Sequence, residues 1–271
     1  MSVTARDRIS FDGVSVDFQT ASGPLRVVDD VSYRIREGEF VSVIGPSGCG
    51  KTTMMNIVAG FLKPTSGSVL LDGKPIAGPG PDRGVIFQEY GVFPWLTVKQ
   101  NIAFGLNLRA SRVPESERED ICRRYMQQMG LADFADAWPK MLSGGMRQRL
   151  AIARAYAVNP EFLLMDEPFG ALDAQTRSAM QDLLLEVLQA EGKTVMLITH
   201  SVEEAVYLSN RIIVMTARPT RIREIIEVPF GYPRQDSLHE KPEYGELRSH
   251  VRELVMKEYA AQVRQTARMS D

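Results

Sequence analysis

Apolar residues alternate with polar ones at the start of the chain, at Ile9 and Phe11 and then at Val14, Val16 and Phe18. That is the two-residue period of a half-buried strand, with Gly13 placed where a bulge interrupts it. Gln19 to Pro24 reads as a turn and Leu25 to Ile35 as a second strand. Glu37-Gly38 turns the chain into Glu39 to Ile44, a nearly unbroken apolar run that suits a strand covered on both faces. A glycine-rich loop follows, and Thr52 to Ala59 then predicts a helix stopping at Gly60. Val69 to Leu71, closed by Asp72-Gly73, and Gly84 to Phe87 predict two more short strands.

From Thr97 to Val158 the apolar spacing becomes three and four, which predicts helices throughout. Strands resume at Phe162 to Met165, Thr194 to Ile198 and Ile212 to Met215, separated by helices at Ala174 to Ala190 and Val202 to Leu208. Arg221 to Val228 adds a strand, and Tyr244 to Arg264 a charged amphipathic helix. Strand–helix alternation on either side of a helical insert predicts an α/β fold. It would have a mainly parallel sheet, an N-terminal antiparallel β subdomain and an inserted α-helical subdomain. The expected domain covers residues 1–228, with its core in 1–96 and 160–228 and the helical subdomain at about 97–159; residues 229–271 form a tail.

Composition narrows the possible partners. Hydrophobic residues make up 44% of the chain, enough for a sizeable core, and the formal net charge of -2 offers no basic field to collect nucleic acid. The two cysteines, Cys49 and Cys122, have no metal or redox spacing. The first residues lack a secretory signal's apolar stretch. No apolar run approaches the roughly 20 residues of a membrane-spanning helix. A role at a membrane would be borrowed from a partner.

The chemistry begins after the strand ending at Ile44. Gly45, Pro46, Ser47, Gly48, Cys49, Gly50, Lys51 and Thr52 fit G-x-x-x-x-G-K-[ST] between a strand and a helix. Glycines let the backbone wrap a polyphosphate, while successive N–H groups and the helix start face its charge. Lys51 would reach the β- and γ-phosphates of ATP, and the Thr52 hydroxyl would ligate Mg²⁺. The fold expectation sharpens to a P-loop nucleotide-hydrolase core. Cys49 inside this loop predicts inhibition by thiol reagents, with ATP protecting. The strand Phe162 to Met165 leads into Asp166, placed to hold magnesium through water, and Glu167, placed to activate an attacking water.

A second helix start follows Leu142. Ser143 is a natural N-cap, and Gly144 and Gly145 leave the first turn free of side chains, a shape that receives phosphate. One phosphate loop with two anion-receiving helix starts is most simply used if the spare start serves a nucleotide on another subunit.

With LSGGM at Leu142 to Met146, DEPFGALDAQTR at Asp166 to Arg177 and ITHSVEEAVYLSNRIIVMTARPTRI at Ile198 to Ile222, the sequence resembles the ATP-binding cassette family. It is similar in particular to the ATPases of nitrate-, sulfonate- and taurine-type importers. LSGGQ is the commoner signature, and Ser201 stands where an aspartate is frequent. The resemblance implies that Phe18 stacks on adenine, although the residue pattern fits core packing equally well. It implies that Gln88 reaches Mg²⁺ and the attacking water, that Thr53, in a Thr52-Thr53 pair where Ser-Thr is usual, belongs to the nucleotide-binding residues, and that Ser143 and Gly145 touch the γ-phosphate of the opposite protomer. Asp173 would communicate across that interface, and His200 would contact the γ-phosphate as a switch.

The implied partners are a second copy arranged head to tail, a transmembrane permease and, indirectly, a solute-binding protein. The implied place is the cytoplasmic face of the inner membrane. Gln88 to Leu96, with Tyr90, Phe93 and Trp95, resembles the groove that takes the permease's coupling helix. The expected cargo is a small anion. An exporter or lipid-trafficking ATPase would share the same chemistry, and a soluble ATPase acting on nucleic acid or ribosomes would usually carry coiled-coil inserts or a second cassette.

Overall fold

A computed structural model of the chain describes residues 6–21, 23–88, 91–109, 111 and 113–270. It forms two compact units, one from residues 1–79 and 191–271 and the other from residues 80–190.

In the first unit the alternating segments become β1 (Asp7–Thr20) and β2 (Gly23–Arg36), an antiparallel pair. The register slips between Phe11 and Val14, where Gly13 takes a positive φ of 59°, so the predicted bulge is present. β4 (Ser66–Leu71) pairs with the other edge of β1, and a two-residue strand, β5 (Lys74–Pro75), completes the sheet β2-β1-β4-β5. β3 (Phe40–Ile44) is buried along its whole length, as its apolar run predicts. It lies parallel to both β8 (Thr194–Thr199) and β9 (Arg211–Met215), and β10 (Ile222–Glu227) closes this side antiparallel to β9.

Three helices cover these strands. α1 (Lys51–Ala59) ends at Gly60 in the left-handed region, φ 82°, with the Gly60 N–H donating to the Asn56 and Ile57 carbonyls. α6 (Val202–Leu208) follows β8. α7 (Pro242–Ser270), after a short 3₁₀ turn at Asp236–Glu240, buries Tyr244, Val251 and Leu254 in a cluster with Ile44, Val206 and Val214. Each such side chain stabilises the docking by about 1.5–3 kcal/mol. The tail helix is therefore part of this unit's core over its first half.

The second unit holds β6 (Arg83–Ile86) and β7 (Phe162–Asp166), a parallel pair. Its helical run is divided into α2 (Val98–Leu106), α3 (Glu115–Gln128) and α4 (Gly144–Ala157), with 3₁₀ turns at Ala132–Phe134 and Pro139–Met141 between the last two. α5 (Ala174–Glu191) follows β7 and buries Met180, Leu184 and Leu188, the four-residue stripe of one helix face. β6 pairs with β7 and packs on α4, which joins these two strands to the helices in this unit. α2 starts with a capping box between Thr97 and Gln100. Behind it, the fully buried Asn101 amide donates to the carbonyls of Phe93, Leu96 and Thr97 and accepts from the Phe93 N–H, fixing the 93–97 segment.

Candidate nucleotide site

The loop between β3 and α1 has the form its glycines predict. A Cβ at Gly45 would lie 2.9 Å from the Met215 carbonyl oxygen, and one at Gly50, where φ is 129°, would lie 3.0 Å from the Val27 side chain and 3.3 Å from the Thr220 hydroxyl. Neither position accepts a larger residue without backbone movement. Gly50 is also the N-cap of α1, with no side-chain cap and no acidic residue in the first turn. No capping side chain covers this helix start, the arrangement that suits an anion. Lys51 is buried, with 6% exposure, and its Nζ donates to the carbonyls of Gly45 and Pro46 at 2.8 Å each. Thr52 is exposed and Thr53 half-buried on the first turn.

Two further contacts brace the loop. The buried Thr220, in the connection between β9 and β10, donates its hydroxyl to the Cys49 carbonyl. Gln262 of α7 donates to the Ser47 carbonyl at 2.8 Å. Sequence reasoning missed both residues. The segment containing Thr220 was identifiable as part of a family motif, but nothing local in either stretch signals a loop 171 or 215 positions away.

Cys49 is fully buried, so the expected thiol chemistry needs the loop to open first. Cys122 is buried as well, and burial raises its thiol pKa. We expect a disulfide reagent to titrate neither thiol within the mixing time in the native protein and both after denaturation.

His200 is exposed at the end of β8. Its surroundings are tightly specified: the Thr199 hydroxyl donates to the buried Glu204 carboxylate at 2.6 Å and accepts from the Ser201 N–H at 3.0 Å. Ser201 caps α6, accepting from the Glu204 N–H. Its place after the histidine is therefore occupied by a helix-capping function. Phe18 is 39% exposed near the end of β1, outside the core.

In the second unit, β7 delivers Asp166 and Glu167 at its C-terminal end, both partly exposed. Glu167 has a positive φ of 46°. A non-glycine residue held there costs about 1–3 kcal/mol, and such strain concentrates at functional positions. The Gln88 Nε2 donates to Glu167 Oε2 at 3.3 Å, so these two predicted residues meet. Tyr90 lies outside the described residues.

Ser143 caps α4 by accepting from the Met146 N–H at 3.2 Å. Met146 takes part through its backbone, which explains why this position tolerates an apolar side chain. A Cβ at Gly145 would fall 2.6 Å from the Thr176 side chain. Thr176 in turn donates its N–H to the Asp173 carboxylate at 3.0 Å. The glycine turn and the Asp173 turn are thus adjacent, each a capped helix start. Hydrogen bonds from the Thr176 backbone and hydroxyl hold the Asp173 pKa below its ordinary value. That cap contributes stability above the ordinary carboxylate range and loses it as pH falls through the lowered value.

Among the described residues no helix is long and apolar enough to cross a membrane, and no three His, Cys, Asp or Glu side chains group to hold a metal.

The sequence profile of the ABC transporter family matches residues 28–170. A Brucella abortus (strain 2308) protein whose name assigns it ATP binding and no solute is 55% identical over 247 residues, covering 91% of this chain and 92% of its own. The nitrate import ATP-binding protein of Synechococcus elongatus is 42% identical over 254 residues, 93% of each chain. The bicarbonate transport ATP-binding protein of Synechocystis is 43% identical over 254 residues, 93% of this chain and 90% of its own. Among solved structures, a dimeric ABC transporter cassette superposes with a TM-score of 0.72 at 32% identity, covering 82% of this chain and all of that one. An ATP-binding cassette dimer in a post-hydrolysis state, bound to ADP and phosphate, gives 0.71 at 31% identity with the same coverage. The match of the family profile to more than half of the chain, together with these relatives, shows that the chain belongs to the ABC transporter family, as an ATP-binding ATPase subunit coupled to transport.

Proposed function

We propose that this chain powers the import of a small anion through a separate membrane permease, working as a head-to-tail pair that closes around two ATP molecules. The observation that carries the reading is the start of α4. A Ser143-capped, side-chain-free helix turn stands in the unit that does not contain the phosphate loop. A second copy gives it a γ-phosphate to receive, and donors from both copies would then hold that phosphate. The dimeric cassettes to which the chain is similar support this arrangement.

In this reading Lys51 and the loop N–H groups bind the β- and γ-phosphates. Glu167 takes a proton from the attacking water, Gln88 orients it, and His200 contacts the γ-phosphate. Asp173 couples the two copies, and Phe18 stacks on adenine. Thr52, Gln88 and Asp166 would hold Mg²⁺, a hydroxyl, amide and carboxylate set that fits a hard cation keeping phosphate and water ligands. When bound, the ion neutralises charge developing on the phosphate oxygens. Loss of the γ-phosphate removes what joins the copies, and the pair opens.

The cargo assignment rests on relatives that handle nitrate and bicarbonate, both small anions. A permease would dock near residues 88–96, where Trp95 is 66% exposed beside Phe93, whose ring packs on Phe104 and lies under Arg154. ATPase activity of the chain co-assembled with its permease and binding protein should rise with one of nitrate, bicarbonate or an alkylsulfonate. Stimulation only by a lipid or a cation would reject the anion reading.

Ser143→Arg tests the shared site directly. We expect each subunit to bind ATP with affinity close to wild type while turnover falls about 100-fold or more, the scale of losing transition-state donors. Full activity in the variant would reject a role for this turn in the reaction.

A further inference from the structure

We propose that Gln262 is a positioning residue for the phosphate loop, acting from the tail helix. The inference rests on reading that loop as the nucleotide site. The Lys51 ammonium donates to the carbonyls of Gly45 and Pro46, Gln262 to that of Ser47, and Thr220 to that of Cys49. A trans peptide is planar, so its C=O and the following N–H point in opposite directions. Drawing the Ser47 carbonyl toward α7 turns the Gly48 N–H the other way. Drawing the Cys49 carbonyl toward Thr220 does the same for the Gly50 N–H. The external donors thereby orient the groups that a phosphate needs.

The Lys51 contacts cannot persist when its charge is drawn to a phosphate. The contacts from Thr220 and Gln262 can. Gln262 also sits on a support fixed independently of the loop. One turn earlier on α7, Glu258 accepts from the Ala217 N–H at 3.2 Å and pairs with Arg223 at 3.7 Å. Further back, Val251 and Leu254 are buried in the core. The helix therefore presents Gln262 to Ser47 from a fixed base, and the tail contributes to nucleotide affinity.

Gln262→Met keeps the side chain's length and removes its donor. In the full-length chain we expect the ATP KM and the ATP and ADP dissociation constants to rise about three- to tenfold, the range of one lost neutral hydrogen bond. kcat should stay within about twofold and the melting temperature should be unchanged, the pattern of lost uniform binding. Nucleotide affinity equal to wild type would overturn the proposal, and so would a fall in kcat at constant KM. Lys51→Ala, measured alongside, separates the two readings. If it too binds ATP normally, the loop is not the nucleotide site. If it loses ATP while Gln262→Met does not, only the role of Gln262 falls.

Discussion

Replacing Glu167 by Gln is expected to lower the ATPase rate by about 10²–10⁴-fold, the usual contribution of a positioned general base. ATP affinity should remain within about twofold of wild type. Glu167 occupies a backbone position with φ 46°, where glycine would be relaxed, and accepts a hydrogen bond from Gln88. Gln has the same length and can still accept through its amide oxygen, so geometry is retained while the capacity to take a proton is lost. Single-turnover hydrolysis and equilibrium ATP binding, measured on the same preparation, separate chemistry from binding. Turnover near wild type would remove Glu167 as the base.

Lys51→Ala should fail one step earlier. The ammonium is buried and makes charge-assisted hydrogen bonds to the Gly45 and Pro46 carbonyls. The nucleotide's phosphates would replace these contacts. A hydrogen bond to a charged group contributes about 1.5–3 kcal/mol, and because the phosphate contacts replace the carbonyl ones only the difference counts, which predicts ATP affinity weaker by about tenfold or more. The same change removes the ammonium from both carbonyls and leaves the Pro46 carbonyl with only the long Cys49 N–H contact at 3.4 Å, so the protein without nucleotide should be destabilised by about 1–3 kcal/mol unless water replaces the ammonium. Calorimetric ATP titration and thermal unfolding read the two effects separately. Wild-type affinity would contradict the assignment of the loop.

The pattern of residues exposed the elements more completely than their assembly. A bulge at Gly13, a helix stop at Gly60 and a buried strand at Phe40–Ile44 follow from local periodicity and glycine placement, and all three are present. The loop after Ile44, Asp166-Glu167 and the Ser143 turn stand out in the sequence because each is a contiguous motif whose chemistry dictates its spacing. The hydrogen bond of Gln88 to Glu167 joins two separate motifs; the strand-end motif and the family resemblance assign the two residues to the attacking water and not to each other. The braces from Thr220 and Gln262 had no such signal, since a threonine in a loop and a glutamine on a charged helix are common in any protein. The division into two units was equally hidden, because strand–helix alternation states the order of elements and not which of them pack together.

Ser201 shows a related gap. Read beside His200, it is a departure from the family's usual aspartate; in the fold it caps α6, a task serine performs as well as aspartate. Met146 is similar, since only its amide is used at the α4 cap. In both places the helix cap is made although the side chain differs from the family's commoner one.

The molar mass of Glu167→Gln in solution, with and without ATP, tests most directly whether a nucleotide is completed by a neighbouring copy. Light scattering should show a single-chain mass without nucleotide, twice that mass with ATP, and no such doubling when Ser143→Arg is added to the same chain. A single-chain mass with ATP fully bound, or doubling that is indifferent to Ser143, would contradict the shared site.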